Sequence, residues 1–151
     1  MIKIKIYLKN IFYFIFILIL WLLSGFIFDI NYDFYNTLKL PIFALNGTII
    51  SIIWFCIYVL ISLSILIILK KNYLLKKSDY LYILIINYIA NQSFLYFFFN
   101  LMSPFLGLAI SIIIYIETKK ISRRSSYFLV PYLIYNLYAL ILMFSVYIMN
   151  F

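Results

Sequence analysis

Residues 80–116 read YLYILIINYIANQSFLYFFFNLMSPFLGLAISIIIYI, 37 consecutive positions without a charge. How this stretch divides decides the fold. As one helix it would rise about 55 Å at 1.5 Å per residue. That is far more than the roughly 30 Å hydrocarbon core of a bilayer. Asn100, Ser103 and Pro104 sit near its middle. Proline disfavours helix at the residue before it and cannot donate to an interior hydrogen-bond ladder. The stretch therefore reads as a tight hairpin, with one span over about 80–99 and a second, short one over about 101–116.

Working outward, residues 48–69 form another apolar run, followed by Lys70, Lys71, Lys76 and Lys77. Upstream of it, residues 30–46 make the longest polar-leaning connection, and its Tyr32, Phe34, Tyr35 and Phe43 suit an interfacial belt or a cover over something. The N-terminal segment carries Lys3, Lys5 and Lys9 before an apolar run from Ile11 to Phe28, closed by Asp29. A signal peptide is the alternative there. Its apolar core runs to about 7–15 residues, shorter than this one, and no small-x-small cleavage site follows. A retained first helix over about 8–28 is expected. Downstream, Glu117 to Arg124 is a second polar connection, and residues 126–149 form the last span with Pro131 near its start, where a helix tolerates proline best. The expected fold is all-α: a single domain over 1–151, an integral membrane bundle of five transmembrane helices.

Charge tests that count. Five spans gather Lys3, Lys5, Lys9, Lys70, Lys71, Lys76, Lys77, Lys119, Lys120, Arg123 and Arg124 on one side and leave only Lys39 on the other. Such an asymmetry predicts a multi-pass cell-membrane protein with a cytoplasmic N-terminus and an outside C-terminus. A single span over 80–116 would break the pattern. The net charge of +8 is then a topology signal and an attraction to anionic lipid. No nucleic-acid partner is expected.

Composition agrees. The chain has 151 residues, of which 68% are hydrophobic and 11% charged, against about 25% charged in a soluble domain. It has no His and one Cys, Cys56. That excludes a His-based zinc site, a His-ligated haem and Ser-His-Asp or Cys-His catalysis. No metal site and no resident cofactor are expected. The acids Asp29, Asp33, Asp79 and Glu117 all lie at or near the ends of apolar runs, so no general acid or base stands inside a span.

Polar residues within spans face protein, water or ligand. The third span holds Asn87, Asn91, Gln92 and Ser93, with Asn87 and Asn91 on one helical face. The last span carries a related stripe: Tyr132, Tyr135, Asn136 and Ala139. Two such faces suit a flat, mostly apolar ligand, and equally suit plain packing with amides bonded between helices. Ile, Phe, Tyr, Asn and Lys are residues of AT-rich codons, so the 23% aromatic content also fits genome bias. Ser103, Gly107 and Ser111 form a small-xxx-small stripe for close packing, within the bundle or in a homodimer.

Five short patterns follow in order: Phe34-Tyr35-Asn36-Thr37-Leu38-Lys39-Leu40-Pro41; Trp54 with Tyr58; Asn91 with Phe94, Phe98 and Phe99; Ser103-Pro104; and Pro131, Tyr132, Tyr135, Tyr138, Ala139 with a later Asn150. Their order and spacing resemble the TspO/MBR family, the tryptophan-rich sensory proteins and the translocator protein, or peripheral-type benzodiazepine receptor. The resemblance spans roughly residues 24–150. It implies a five-helix bundle, often homodimeric, with a pocket toward the first-loop end. It also implies binding of tetrapyrroles such as porphyrin or haem, for sensing, regulation or transport. Some members bind cholesterol or benzodiazepine-type drugs. By register, Tyr35, Asn91, Phe94, Tyr135 and Ala139 would line or border the pocket, under a lid formed by the 30–46 loop.

Departures shape the expectation. Members that degrade porphyrin use pocket tryptophans, and the two matching positions are Thr48 and Tyr135. Tyr stacks and Thr does not, so an enzyme is not expected. Where sterol-binding members carry an Arg, this chain has Ile148, so sterol binding by that motif is not expected. The fourth span is about two turns shorter than usual. A small-molecule exporter, and a structural or interaction protein without a tetrapyrrole site, stand as alternatives.

Overall fold

The computed structural model of the chain describes residues 2–27, 37–70, 74–93 and 102–150, with side chains except at 2–5, 24–27, 74–77 and 102–104. Among these residues the chain is helical, without strands. The helices are α1 (Ile2–Ile27), α2 (Gly47–Leu69), α3 (Leu74–Ser93), α4 (Met102–Ile121), the short α5 (Arg123–Tyr127) and α6 (Val130–Asn150). The decisive stretch is two helices, α3 and α4, packed against each other. Residues 94–101, where the hairpin turn was expected, lie outside the described residues.

Helix ends differ from the sequence expectation in instructive ways. α3 starts at Leu74 rather than Tyr80, so Lys76, Lys77 and Asp79 ride on its first turns. α4 runs to Ile121 rather than Ile116, with Lys119 and Lys120 in its last turn. Cations there meet the negative end of the helix dipole. α4 is thus 20 residues long, about 30 Å, its last turn carrying the charges that follow the uncharged stretch. The last span is divided. Pro131 has no N–H to reach the Tyr127 carbonyl and restricts Val130. Phe128 and Leu129 instead bond back to the Ser125 and Ser126 carbonyls (3.2 and 3.0 Å), closing α5 as a separate turn. At the start of α2, the Asn46 side chain accepts from the Ile49 N–H at 2.8 Å, a conventional N-cap.

The long helices close into a ring. α1 packs on α2 and α3, α3 on α4, α4 on α6, and α6 on α2. The outside is overwhelmingly apolar, and the inside adds buried amides, hydroxyls and tyrosines to its aliphatic residues. On α6, Ile134, Leu137, Ile141, Phe144 and Ile148 are exposed, while Tyr132, Tyr135, Asn136, Ala139 and Leu142 are buried. On α3, Leu81, Ile85 and Ile89 face out, and Tyr80, Asn87 and Asn91 face in. Apolar stripes on this scale would aggregate in water, and lipid is the solvent they fit. Ile6–Leu23, Gly47–Leu69 and Arg123–Asn150 are each long and apolar enough to cross a membrane. The chain is an all-α membrane bundle.

Lipid gives helices little hydrophobic reason to associate, so close packing and interhelical hydrogen bonds hold them. Two members of the small-residue stripe are used inside the bundle. Ser111 is buried, and a Cβ on Gly107 would meet Asn136 Oδ1 of α6 at 3.6 Å. At one end of the ring, Ser125 of α5 donates to the Ser64 carbonyl of α2 at 2.7 Å, and the two hydroxyls stand 2.8 Å apart. Both serines are fully buried. Ser125→Ala is expected to lower unfolding stability by about 1 kcal/mol, the usual scale of interhelical hydrogen bonds in membranes. Denaturation in mixed detergent micelles measures it. Ser145→Ala, which loses only a bond to the Ile141 carbonyl of its own helix, is the control and should change little.

Candidate functional site

Inside the ring, amides and phenols join helices that are not ring neighbours. Asn87 and Asn91 lie one turn apart on α3, and Tyr132 and Asn136 one turn apart on α6. The Asn87 and Asn91 amides donate to the Tyr132 hydroxyl oxygen at 3.1 and 3.3 Å. From α2, the Tyr58 hydroxyl donates to Asn91 Oδ1 at 2.8 Å. Asn136 shares this interior, its Oδ1 toward Gly107 of α4. Its Nδ2 is buried with no acceptor among the described residues. All five side chains are buried. The network ties α2, α3 and α6 across the interior.

Aromatic rings surround it. Trp54 and Tyr58 are one turn apart on α2, with ring centroids 5.4 Å apart. Trp54 meets Tyr135 edge-on at 5.2 Å and Tyr132 at 6.4 Å. Tyr135 leans on Tyr138 at 5.5 Å. On the other side Trp21 of α1, 2% exposed, packs on Tyr58 at 5.8 Å and on Tyr88 at 5.4 Å. Rings at these spacings and tilts attract through their quadrupoles as well as by burial.

The described part of the 30–46 connection lies along α6. Asn150 grips Lys39 by both backbone groups: Lys39 N–H donates to Asn150 Oδ1 at 2.8 Å, and Asn150 Nδ2 donates to the Lys39 carbonyl at 2.9 Å. Farther along α6, the Tyr138 hydroxyl accepts from the Leu45 N–H at 3.1 Å and donates to the Phe43 carbonyl at 3.3 Å. The Phe43 ring stands edge-on to Tyr138 at 6.5 Å. Tyr138 therefore touches both the loop and Tyr135.

Of the residues expected to form the site, the structure brings Asn91, Tyr135 and Ala139 together in the buried interior. Thr48 stands apart, exposed in the first turn of α2. Tyr35 and Phe94 lie outside the described residues, as do residues 30–36 of the expected lid. Trp54, Tyr58, Asn87 and Tyr132 belong to the same interior, although the expected site did not include them. Their signal was the four-residue spacing of Trp54 with Tyr58 and of Asn87 with Asn91. Trp21 gave none, being one ring among several in an apolar run.

The fold and this interior define a helical membrane protein with an aromatic and carboxamide core beneath a loop. The profile of the TspO/MBR family matches residues 12–149, and the chain belongs to that family. It is 36% identical over 134 residues to the uncharacterized membrane protein YtaB of Bacillus subtilis, covering 84% of this chain and 86% of the relative. It is 30% identical over 138 residues to the tryptophan-rich protein TspO of Bacillus cereus, covering 87% and 90%.

The network and the clasp make separate predictions. Tyr132→Phe leaves two buried amides without their acceptor and is expected to destabilise the bundle by roughly 1–3 kcal/mol. Tyr82→Phe, at an exposed ring, should not. Unfolding in mixed micelles compares them. Asn150→Leu is expected to raise amide hydrogen exchange at Lys39 and its neighbours while leaving α2 and α4 protected. Unchanged exchange at Lys39 would contradict the clasp.

Proposed function

We propose that the chain is a TspO-like membrane protein that binds a hydrophobic ligand, a tetrapyrrole by preference, at the Trp54–Tyr135 interior beneath the 37–46 segment. The observation that carries this reading is the chain of rings from Trp54 through Tyr135 and Tyr138 to the loop. Flat macrocycles bind by stacking on such rings and by apolar contact. Asn136 Nδ2 supports the reading as a buried donor with no acceptor among the described residues, suited to a ligand carbonyl or carboxylate. The role is read as binding for sensing, regulation or carriage rather than catalysis, because among the described residues no carboxylate stands with these rings and the chain has no His. The basic end, with Lys70, Lys119, Lys120, Arg123 and Arg124, faces the cytoplasm, and the Lys39–Asn150 end faces outward.

Titration of the purified protein with protoporphyrin IX tests this, read by quenching of Trp21 and Trp54, its two tryptophans. Saturable quenching is expected, and Tyr135→Ala should weaken it roughly tenfold, the scale of one lost ring contact. Haem should bind about as tightly as the metal-free ring, since no His is present to ligate iron. Quenching no stronger than that of an unrelated membrane protein, or unaffected by Tyr135→Ala, would remove the tetrapyrrole reading. A protein whose interior serves only packing would give that result.

A further inference from the structure

The end of the bundle opposite the Lys39–Asn150 clasp carries a second arrangement that the aromatic interior does not use. α5 is a single turn with two unlike faces. One face is serine, and it is fixed. Ser122 caps the turn, its hydroxyl accepting from the Ser125 N–H at 3.3 Å. Ser126 donates to the Arg123 carbonyl at 2.9 Å, and Ser125 is held by Ser64 of α2 at 2.7 Å. All three are buried. The other face shows Arg123, Arg124 and Tyr127 to the surroundings. Arg123 Nε donates to the Tyr127 hydroxyl at 3.0 Å. That bond occupies one guanidinium N–H and orients the group, leaving the two terminal nitrogens of its fork unused by it.

The charges around this face are unbalanced. Among the described residues the one ion pair joins Lys120 to Glu117. Lys119 sits over the Tyr115 ring and, with Lys120, lies in the last turn of α4, where both answer that helix's own negative end. Arg124 lies in the last turn of α5, whose five residues sum to a far smaller dipole than α4's, and Lys70, at the C-cap of α2, adds to the positive field from the same end. Guanidinium forks match phosphate oxygens two at a time, and tyrosine favours the headgroup level of a membrane. A platform already held rigid loses little freedom when it binds.

We propose that Arg123, Arg124 and Tyr127 form a site for the phosphodiester headgroup of an anionic phospholipid, on a turn that the buried serines hold in place. The site is independent of the tetrapyrrole reading, since it shares no residue with the aromatic interior. It takes lipid rather than a soluble phosphate because it adjoins the apolar outer face, where Ile112, Ile113 and Ile116 of α4 are exposed to receive acyl chains.

The test uses the full chain, delipidated in detergent and offered equal amounts of phosphatidylglycerol and phosphatidylcholine with matched acyl chains, with retained lipid read by native mass spectrometry. Two surface cations at the usual strength of membrane attraction correspond to a preference of roughly thirtyfold for the anionic lipid. In Arg123→Gln/Arg124→Gln that preference should fall to near unity, whereas Lys39→Gln at the opposite end should leave it intact. Arg123→Lys, which keeps the charge and loses the fork, should lose part of it. If the double variant does not elute as folded protein, Arg124→Gln alone carries the test, with an expected loss of roughly fivefold. Equal retention of the two lipids by the native protein, or a preference unchanged by the Gln variants, overturns the site. Displacement of phosphatidylglycerol by millimolar glycerol 3-phosphate also overturns it, in favour of a soluble phosphate.

Discussion

The Tyr132 hydroxyl is the point on which the bundle turns. A helix ring in lipid can rotate its members with little change in buried apolar area, because lipid and neighbouring helix are almost equally apolar. Something directional must fix each rotation. Tyr132 accepts from two amides of α3, and one of those amides is fixed in turn by Tyr58 of α2. Rotating α3 by one residue, about 100°, would carry Asn87 and Asn91 away from both phenols and leave buried polar groups unpaired. The polar network thus supplies the specificity that hydrophobic contact lacks here, and the aromatic faces of Trp54 and Tyr135 follow from the register it sets.

That division of labour explains how the interior and exterior differ. Outward positions on α1, α3 and α6 are mostly Ile, Leu, Phe and Tyr, which need only match lipid and its interface. Inward positions include rings that meet at defined angles, Trp54 nearly perpendicular to Tyr135 at 78° and Trp21 to Tyr88 at 83°. Trp54 also leans on Tyr58, so a residue of the hydrogen-bond network and a residue of the aromatic chain share one turn of α2. Position within the network and position within the site are therefore set together.

Much of this could be read from the chain. The uncharged 80–116 stretch is too long for one span and divides near Pro104, and the two helices follow. The four-residue spacing of Asn87 and Asn91 gave their shared face, and both are buried on it. What failed to show was whatever depended on a distant partner. Tyr132 has the same letter as fifteen other tyrosines, and its role comes from amides 41 and 45 residues away. Helix ends at Leu74 and Ile121 were misjudged because lysines read as loop, although a helix tolerates them once it leaves the hydrocarbon. Thr48 entered the expected site through family register, and the structure leaves it exposed because α2 turns Trp54 and Tyr58 inward instead.

Among the described residues, four hydrogen bonds from the loop to α6 end on its peptide groups: Lys39 N–H and C=O, the Phe43 carbonyl and the Leu45 N–H. These bonds read backbone, and the Phe43 ring against Tyr138 adds a side-chain contact beside them. Positions such as Lys39 and Leu45, held by their peptide groups, can change side chain while those bonds stay intact. Asn150 and Tyr138 have no such freedom. A comparison of side chains at those loop positions alone would miss that the clasp persists.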